Sequence, residues 1–367
     1  MIDKGSKIYV AGHRGLVGSA ILQNLKDKGF TNLIVRTHKE LNLTDQVAVG
    51  EFFRKEKPEY VLLAAAKVGG IVANNKYRGE FIYENLMIQN NVIHQAYLNG
   101  VKKLVFLGST CIYPKDAPQP MKEDSLLTSP LEYTNEPYAI AKIAGIKMCE
   151  SYNLQYGTNF IAIMPTNLYG PNDNFNLETS HVLPAMIRKM HLGKCLEAGD
   201  WHSIAKDLNK RPIDGVKGND SKDEILFVLS KYGISLSDEN GNRGKVAIWG
   251  SGRPMREFLW SEEMADATVF IMENVNFSDL KSVINNNEIR NTHINVGTGV
   301  EISIKDVAHV IKDKISFKGE LFFDTSKPDG TMRKLTDVTK LNSLGWHHKI
   351  EIEEGIEKLY KWYCDNL

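Results

Sequence analysis

The fold of this chain is decided by the stretch Ile8-Tyr9-Val10-Ala11-Gly12-His13-Arg14-Gly15-Leu16-Val17-Gly18. Its four leading apolar residues predict a buried strand, and a helical pattern begins at Leu16, directly after the first two glycines. Glycine allows the tight turn between them and lets the backbone approach a pyrophosphate, which would face the positive N-terminus of the helix. The spacing Gly-x-x-Gly-x-x-Gly differs from the commonest dinucleotide fingerprint, so a purely structural turn is the alternative. The position in a strand–loop–helix unit favours the dinucleotide.

Short apolar runs alternate with helical patterns over residues 1–170, which predicts an α/β protein with a doubly wound parallel sheet of the Rossmann type. The predicted strands are Ile8–Ala11, Leu33–Arg36, Tyr60–Ala66, Leu104–Gly108 and Phe160–Met164. The predicted helices are Leu16–Lys28, Ala48–Lys55, Phe81–Asn99 and Tyr138–Tyr156. Residues 171–367 are less regular and predict a smaller mixed α/β lobe. Within it, the polar residues 198–245 predict an insertion with one amphipathic helix, Lys222–Tyr232.

The composition is that of an ordinary soluble globular protein, with 42% hydrophobic residues, 25% charged residues and a formal net charge of zero. The balanced charge gives no reason to expect a nucleic-acid partner. No apolar run approaches the roughly 18–20 residues that a membrane span needs, and the N-terminus lacks the apolar core of a signal peptide. The four cysteines show no spacing typical of zinc sites or disulfides. We therefore expect a cytoplasmic protein with reduced thiols, no bound metal and no membrane partner.

The end of the second predicted strand carries positive residues rather than an acid. It reads Val35-Arg36-Thr37-His38-Lys39, and Arg14 lies in the glycine loop. An acidic residue would hydrogen-bond the ribose 2′-hydroxyl of NAD, whereas cations suit the 2′-phosphate of NADP. Solvated loop charges are the alternative, but the pattern favours NADP. Asp45 is a candidate adenine contact, although a lone aspartate is more often a helix cap.

Three polar side chains, Ser109, Thr110 and Cys111, follow a predicted buried strand, at the edge where open α/β sheets bind ligands. Tyr138 and Lys142 come next, four residues apart, so they lie one turn apart on one helix face. A lysine ammonium beside a phenol stabilises the phenolate and lowers a pKa that is otherwise about 10. Such a tyrosine can exchange a proton with a carbonyl or alcohol oxygen near neutral pH.

With these motifs the chain resembles the extended short-chain dehydrogenase/reductase family and, within it, the GDP-L-fucose synthases, over almost its whole length. Several matching segments are long and peculiar to those enzymes. The segments are Ala11–Ser19, Ala64–Asn75, Gly108–Pro114, Thr134–Glu150, Met164–Pro171, Ser180–Val182, Trp249–Leu259, His293–Gly299 and Ser326–Gly330. Sugar-nucleotide dehydratases are similar too, but they place an acidic pair where Thr110 and Cys111 stand, which argues against dehydration.

The resemblance implies NADPH-dependent 3,5-epimerisation and 4-reduction of GDP-4-keto-6-deoxy-D-mannose to GDP-L-fucose. The catalytic residues that it implies are Ser109, Cys111, Tyr138, Lys142 and His181. Cys111 is assigned as the base and His181 as the acid, since thiol and imidazole both titrate near neutral pH, and the reverse order stays open. The alternatives are a related GDP-4-keto-sugar epimerase/reductase or 4-reductase, for example for a 6-deoxy-heptose, and a non-catalytic NADP-sensing protein.

The resemblance also implies two sets of ligand contacts, for NADP in a domain of residues 1–170 and for a GDP-sugar in a lobe of residues 171–367. The cofactor contacts are Gly12, His13, Arg14, Gly15, Leu16, Val17, Gly18, Arg36, His38, Leu43, Asp45, Leu107, Gly108, Lys142, Pro165, Thr166, Asn167, Leu168 and His181. The GDP-sugar contacts are Lys189, Trp249, Arg256 and Asp329. Arg188 could exchange roles with Lys189, and Arg253 is expected to be a solvated neighbour.

Two departures from the family pattern bear on these expectations. His38 stands where family members often carry a second arginine, which would weaken the grip on a 2′-phosphate. Residues 198–245 replace a much shorter connection, as a lid over the nucleotide, part of a subunit interface or surface decoration. The family further implies a homodimer formed through the helices Phe81–Asn99 and Tyr138–Tyr156.

Overall fold

A computed structural model describes residues 2–237, 243–281, 283–284 and 288–367 of the chain. The chain forms two compact units, and neither is one continuous stretch. The first unit comprises Met1–Asn172, Glu257–Val300 and Leu335–Lys349, and the second comprises Asp173–Arg256, Glu301–Lys334 and Ile350–Leu367. The sequence pattern placed residues 257–300 and 335–349 in the second lobe. They belong to the first unit, because a late strand, Ile294–Val296, pairs with its sheet.

Helices and strands alternate along most of the chain. The α-helices are α1 (Leu16–Asp27), α2 (Gln46–Glu56), α3 (Ile71–Lys76), α4 (Arg78–Leu98), α5 (Glu136–Tyr156), α6 (Val182–Glu197), α7 (Trp201–Lys210), α8 (Lys222–Lys231), α9 (Ser261–Asn274), α10 (Ile304–Ile315), α11 (Thr339–Ser343) and α12 (Ile352–Asp365). The strands are β1 (Ile8–Ala11), β2 (Leu33–Ile34), β3 (Tyr60–Leu63), β4 (Lys103–Leu107), β5 (Phe160–Pro165), β6 (Asn167–Tyr169), β7 (Ile234–Leu236), β8 (Gly244–Trp249), β9 (Met255–Arg256), β10 (Phe258–Trp260), β11 (Val283–Ile284), β12 (Glu288–Ile289), β13 (Ile294–Val296), β14 (Ile302–Ser303) and β15 (Glu320–Asp324). Within the described part of the chain, no helix has the length and apolar character to cross a membrane.

A six-stranded parallel sheet forms the centre of the first unit, in the order β13-β5-β4-β3-β1-β2. The strand order reverses at β1, since β2 lies on one side of it and β3 on the other, and such a switch point is where open sheets bind ligands. The doubly wound parallel sheet predicted from the sequence is confirmed. Strand β13 was not predicted, because a three-residue strand with Asn295 at its centre gives almost no apolar pattern.

The predicted elements differ from the structure mainly at their ends. Strand β1 has its predicted bounds, but β2 is only two residues long because it pairs with Ile8 and Tyr9 alone. Strand β3 ends at Leu63, three residues before the predicted end. Helix α3 was missed, since it has only six residues and follows Gly69 and Gly70 directly.

Both faces of the sheet are covered by helices. Ile8 and Val10 of β1 lie in a core cluster with residues of α1 and α9, whereas Tyr9 and Ala11 lie in a second cluster with residues of α2, α4 and α5. Successive residues of a strand point to opposite faces, so a strand buried on both sides is apolar throughout. This is why the strands are recognisable as continuous apolar runs in the sequence.

The turn after β1 requires glycine at two positions. Gly12 has φ +87°, and a Cβ there would lie 2.8 Å from the backbone nitrogen of Ala65. A Cβ at Gly18 would lie 2.1 Å from the Gly12 carbonyl oxygen. A Cβ at Gly15 would lie 3.5 Å from that same oxygen, which is an ordinary contact distance. The turn therefore needs glycine at positions 12 and 18, whereas a side chain at position 15 would make no close contact.

The second unit contains a three-stranded sheet in the order β15-β8-β7, against which α6 packs, with α10 and α12 beside it. The predicted helix Lys222–Tyr232 is α8, which begins with a capping box of Ser221 and Glu224. The predicted insertion also contains α7 and β7, and their apolar side chains share a buried cluster with residues of α6. It is thus more than one helix on a polar loop, and residues 238–242 of it lie outside the described residues.

Replacing Gly18 by alanine should destabilise the first unit, whereas Gly15→Ala should not. The methyl of Gly18→Ala would overlap the Gly12 carbonyl oxygen, and overpacking of this kind costs about 1–3 kcal/mol. Gly15→Ala is the matched control, because its methyl meets that oxygen at an ordinary distance. Urea unfolding of both variants measures the difference. Equal free energies of unfolding would show that the turn relaxes and that the close approach is no constraint.

Candidate active site

The glycine loop has the open backbone and the space that a diphosphate needs. Gly15 is the N-cap residue of α1 and no side chain caps this helix, so the N–H groups of its first turn are left for another acceptor. The Nδ1 atom of His13 is buried and has no hydrogen-bond partner among the described residues. Partial burial and then the charge of Arg14 lower the pKa of His13. Leu16 and Val17 begin α1, and these residues together fit a dinucleotide.

The side chains predicted to hold a 2′-phosphate differ in how they are engaged. Arg36 Nη2 donates to Glu56 Oε1 at 2.7 Å, and its Nη1 donates to the Val35 carbonyl oxygen at 2.7 Å. Arg14 and His38 are exposed. A phosphate can therefore reach Arg14 and His38 directly, whereas it competes with Glu56 for Arg36.

Asp45 and Leu43 have structural roles of their own. Asp45 Oδ1 accepts from the N–H groups of Val47 at 2.9 Å and Ala48 at 3.0 Å, so it caps α2. Leu43 lies in the core, and its carbonyl oxygen accepts from Asn91 Nδ2 at 2.9 Å. The helix cap considered for Asp45 is what the structure has, and its contact with adenine stays a prediction.

Four residues of the predicted catalytic set come together at the carboxyl end of β4. Ser109 precedes a short 3-10 turn, and its Oγ accepts from the Cys111 N–H at 3.3 Å. The Ser109 side chain also interacts with that of Tyr138 and acts to lower the pKa of the phenol. Lys142 lies one turn further along α5, with its Nζ 5.7 Å from the centre of the Tyr138 ring, and it donates to the Leu107 carbonyl oxygen at 2.8 Å. The spacing of Tyr138 and Lys142 thus places both beside Ser109 and Cys111.

Burial sets the pKa values of this site more than pairing does. Burial, and then the charge of a Cys111 thiolate, raise the pKa of Tyr138 well above its usual value, and the Ser109 hydrogen bond opposes them. Burial lowers the pKa of Lys142 to about 8. The expectation of a lowered pKa for Tyr138 is wrong here, because desolvation of the phenolate outweighs the stabilisation that the nearby Lys142 ammonium gives. Tyr138 stays protonated at neutral pH, which suits a proton donor.

The segment Gly108–Pro114 is anchored by Tyr113, a residue that the sequence did not single out by itself. Tyr113 is buried, and its hydroxyl donates to Asn295 Oδ1 at 2.5 Å and contacts His293 Nε2 at 3.1 Å. Asn295 Nδ2 in turn donates to the Met121 carbonyl oxygen at 2.9 Å. The segments Gly108–Pro114 and His293–Gly299 were each recognised, but only the fold shows that one supports the other.

The predicted cofactor segment Pro165–Leu168 connects β5 to β6 at the same sheet edge. The Thr166 N–H donates to the Val296 carbonyl oxygen at 3.0 Å, and Asn167 Nδ2 donates to the Glu257 carbonyl oxygen at 2.8 Å. Gly108, at the end of β4, donates its N–H to the Ile163 carbonyl oxygen at 2.8 Å. Hydrogen bonds to main-chain carbonyl oxygens therefore fix these positions next to the segment Gly108–Pro114.

In the second unit, His181 and Lys189 are held by α6. His181 is the N-cap residue of this helix, and partial desolvation with the charge of Lys334 lowers the pKa of its ring. Lys189 is buried, and its Nζ donates to the Ala247 carbonyl oxygen at 3.0 Å. Burial lowers the pKa of Lys189 to about 8. An ammonium has three donors, and among the described residues only one donor of Lys189 has a partner.

Trp249 and Arg256 lie on strands of the second unit. Trp249 ends β8 and is 62% exposed, with Lys327 Nζ 5.7 Å from the centre of its ring. Arg256 Nη1 donates to the carbonyl oxygens of Met255 at 2.7 Å and Thr331 at 2.6 Å, and burial lowers its pKa. An exposed aromatic face and an oriented guanidinium suit a base and a diphosphate.

Asp329 and Arg253 meet at one serine. Asp329 Oδ1 accepts from the Ser251 N–H at 2.8 Å and its Oδ2 accepts from Ser251 Oγ at 2.7 Å, and these bonds lower the pKa of Asp329. Arg253 Nε donates to Ser251 Oγ at 3.2 Å. Arg253 is exposed, as expected for a solvated neighbour, and this local hydrogen bond is the contact that it adds.

Arg188 cannot exchange roles with Lys189. It is 0% exposed, and its Nε and Nη2 donate to Asp207 Oδ1 at 2.9 and 2.7 Å. Its Nη1 donates to the Phe175 carbonyl oxygen at 3.1 Å, and the Tyr363 hydroxyl donates to Asp207 Oδ2. A buried ion pair with these bonds is structural, because removing either ion would leave the other charge buried and unpaired.

Known proteins match the chain over its whole length. The sequence matches the family described as NAD dependent epimerase/dehydratase over residues 8–210 and 233–297. Putative GDP-L-fucose synthase 2 of Arabidopsis thaliana is 51% identical over 367 residues, which cover 100% of this chain and 94% of that protein. The crystal structure of a GDP-6-OMe-4-keto-L-xylo-heptose reductase from C. jejuni is 48% identical, covers 100% of this chain and 99% of that one, and has a TM-score of 0.91. A GDP-D-glycero-L-gluco-heptose synthase from Campylobacter jejuni, crystallised in the presence of NADPH, is 47% identical, with coverage of 99% and 98% and a TM-score of 0.85.

The glycine loop, the Tyr138–Lys142 pair and the parallel sheet define an extended short-chain dehydrogenase/reductase, of the NAD dependent epimerase/dehydratase family. Within that class, the chain belongs to the GDP-L-fucose synthase family and is an NAD(P)-dependent epimerase/reductase that acts on GDP-sugars. The unmatched residues 211–232 fall within the predicted insertion.

The rate of reduction should fall as the pH rises through about 8, where Lys142 loses its charge. Lys142 carries its proton below this pKa, and the charge stabilises the phenolate that forms when Tyr138 donates a proton. The profile of kcat/KM against pH measures this, since it reports groups of the free enzyme. In Lys142→Arg the decline near pH 8 should disappear, because a guanidinium stays charged. A decline that persists in this variant would assign it to another group.

Proposed function

We propose that the chain catalyses NADPH-dependent 3,5-epimerisation and 4-reduction of GDP-4-keto-6-deoxy-D-mannose to GDP-L-fucose. The observation that carries the proposal is that Lys142, one turn from Tyr138 on the same helix, is bound to the end of the strand that leads into Ser109 and Cys111. Reduction alone needs only Ser109, Tyr138 and Lys142. Cys111 and His181 add the acid–base pair that epimerisation needs.

The cofactor that these residues fit is NADP. The open N-terminus of α1 and Gly15 would hold the diphosphate, and Arg14, Arg36 and His38 would hold the 2′-phosphate. When bound, the reduced nicotinamide supplies the hydride that reaches C4 of the sugar. Pro165–Leu168 would contact its nicotinamide end, and Lys142 its ribose.

Epimerisation requires a base and an acid near the sugar ring. The hydrogens at C3 and C5 flank the C4 ketone, so removal of either one gives a resonance-stabilised enolate. Reprotonation from the opposite face inverts each centre. We assign Cys111 as the base and His181 as the acid, and the reverse order is the alternative. Because its pKa is lowered, the His181 ring takes up a proton before it acts as an acid.

Reduction at C4 places a negative charge on the former ketone oxygen, which Tyr138 protonates. Its raised pKa keeps the hydroxyl proton in place until that charge develops. Ser109 hydrogen-bonds the same oxygen, and the Lys142 ammonium stabilises the tyrosinate that remains. Tyr138 is therefore the residue without which reduction stops.

The GDP-sugar contacts are assigned to the second unit. Lys189 and Arg256 have N–H donors for the diphosphate, Trp249 offers its ring to the base, and Asp329 offers oxygens. We assign cofactor binding to the first unit and sugar-nucleotide binding to the second, in an enzyme of the cytoplasm.

A second candidate is the reduction of a GDP-4-keto-heptose. It is supported by two solved relatives from Campylobacter jejuni, a GDP-keto-heptose reductase and a GDP-heptose synthase, which are 47–48% identical to the chain. The catalytic residues would be the same, so the two candidates differ only in the sugar and in which centres are inverted.

NADPH oxidation with GDP-4-keto-6-deoxy-D-mannose, followed by NMR of the product, distinguishes the candidates. We expect GDP-L-fucose, which requires both epimerisations and the reduction. A product with C3 or C5 uninverted, or turnover of only the heptose analogue, would favour the second candidate. No oxidation with either sugar would refute the proposal.

Cys111→Ser should slow the entry of solvent deuterium at C3 and C5 by at least about 100-fold, because the base is lost, while NADPH binding is kept. Cys149→Ser is the matched control, since Cys149 is also buried in the first unit but lies in its core. Deuterium entry at the wild-type rate in Cys111→Ser would remove Cys111 from the mechanism. A complete loss of deuterium entry in His181→Asn, together with only a partial decrease in Cys111→Ser, would instead reverse the order of base and acid.

We also infer a homodimer formed through α4 and α5. These helices pack together and expose the apolar side chains Tyr83, Leu98, Ile140, Leu154 and Tyr156. Light scattering should give twice the chain mass of 41.3 kDa, and Ile140→Glu with Leu154→Glu should give a monomer because it buries charge at the contact. A single monomeric mass for the wild-type protein at all concentrations would contradict the inference.

A further inference from the structure

Glu257 is an acid that the proposed chemistry does not use, yet its side chain is buried and extensively hydrogen-bonded. It is 0% exposed, and its carboxylate accepts four hydrogen bonds within the first unit. Oε1 accepts from the N–H groups of Thr298 and Gly299, both at 2.7 Å. Oε2 accepts from the N–H of Thr336 at 3.0 Å and from its Oγ1 at 2.7 Å. Among the described residues, these partners are neutral donors rather than cations.

The space around this carboxylate admits no extra atom. A Cβ at Gly297 would lie 2.2 Å from Glu257 Oε1 and 2.5 Å from Thr336 Oγ1. Gly297 belongs to the segment His293–Gly299, which the sequence singled out and the proposed chemistry leaves without a role. The packing of that glycine shows that the segment is shaped around the acid.

The main chain of Glu257 reaches the predicted cofactor segment. Its carbonyl oxygen accepts from Asn167 Nδ2 at 2.8 Å and from Thr166 Oγ1 at 3.4 Å. The next residue, Phe258, pairs with Asn167 where β10 meets β6. The hydrogen bonds of the Glu257 side chain therefore fix the position of its own carbonyl oxygen. That oxygen in turn orients the carboxamide of Asn167.

The same acid also gathers separate parts of the first unit. The second segment of this unit begins at Glu257 and ends at Val300, and its third segment begins at Leu335. Thr336 and Gly299, which donate to the carboxylate, are each next to one of these places. This side chain thus binds two points that lie about 40 and 79 residues further along the chain.

We propose that Glu257 is a positioning residue that orients Thr166 and Asn167 for binding the dinucleotide. This rests on the proposed function, because it takes Pro165–Leu168 to be the nicotinamide-side segment. Burying an acid without a cation is costly unless hydrogen bonds satisfy it. An apolar side chain would fill the same space but would leave three buried N–H groups without an acceptor.

Glu257→Gln tests the proposal, since it keeps the size of the side chain but turns one acceptor oxygen into an N–H₂ group that faces other donors. We expect NADPH to bind about tenfold more weakly in a fluorescence titration of the full chain below its unfolding temperature. Glu150→Gln is the matched control. Glu150 is buried in the same unit and accepts from the Thr292 N–H and Oγ1 at 3.2 and 3.3 Å and from Lys147 Nζ at 2.8 Å, but it has no predicted cofactor contact. It should bind NADPH as the wild type does.

A double-mutant cycle with Asn167→Ala separates positioning from general destabilisation. If Glu257 acts through Asn167, the double variant Glu257→Gln/Asn167→Ala binds NADPH no more weakly than whichever single variant has the lower NADPH affinity. Losses that add would indicate independent effects and would overturn the proposal. Equal NADPH affinities of Glu257→Gln and Glu150→Gln would overturn it as well.

Two further results complete the test. If Glu257→Gln does not fold, Thr336→Val removes a single donor and should weaken NADPH binding about threefold, and an unchanged affinity would overturn the proposal. The wild type and the variants could show the expected NADPH affinities while the wild type reduces no GDP-4-keto-sugar. This result would refute the proposed function and support the role of Glu257. Wild-type protein that does not bind NADPH would overturn both.

Discussion

The close approach of two backbone segments after β1 is the constraint on which the first unit depends. Gly12 lies against Ala65 and Gly18 lies against the Gly12 carbonyl, so α1 can begin directly at the carboxyl edge of the sheet. Parallel strands all end at this edge, which is why β4 delivers Ser109 and β5 delivers Pro165–Leu168 to the same region. The chemistry is carried by loops, but their meeting point is fixed by the turn and by the strand order.

Two lysines of the candidate set, one in each unit, share a property. Lys142 and Lys189 are both buried, and each donates to a main-chain carbonyl oxygen, of Leu107 and Ala247, rather than to a carboxylate. A carbonyl satisfies one N–H but does not neutralise the charge. Burial therefore lowers the pKa of both lysines to about 8, because a buried ammonium without a counterion raises the free energy of the folded protein. Arg188 is the contrast, since Asp207 neutralises it and its role is structural.

The sequence predicted what depends on local pattern. The apolar runs indicated the strands, the glycine spacing indicated the turn, and the four-residue spacing of Tyr138 and Lys142 placed both on one helix face. It could not predict what depends on distant partners. Arg188 looks like Lys189 until Asp207 is found beside it, and Glu257 looks like a surface acid until Thr336 and Gly299 surround it. The tyrosine pKa was predicted with the wrong sign, because desolvation cannot be read from spacing.

The bond between Asp207 and Tyr363 joins residues that are 156 positions apart, and it has a consequence for synthesis. The buried charges of Asp207 and Arg188 are fully satisfied only when the helix bearing Tyr363 has been made. The first unit likewise waits for Leu335–Lys349. At about 5–20 residues per second, a ribosome takes on the order of tens of seconds to reach these segments. Until the last helix has been made, neither unit is complete and apolar surface that it will bury stays exposed.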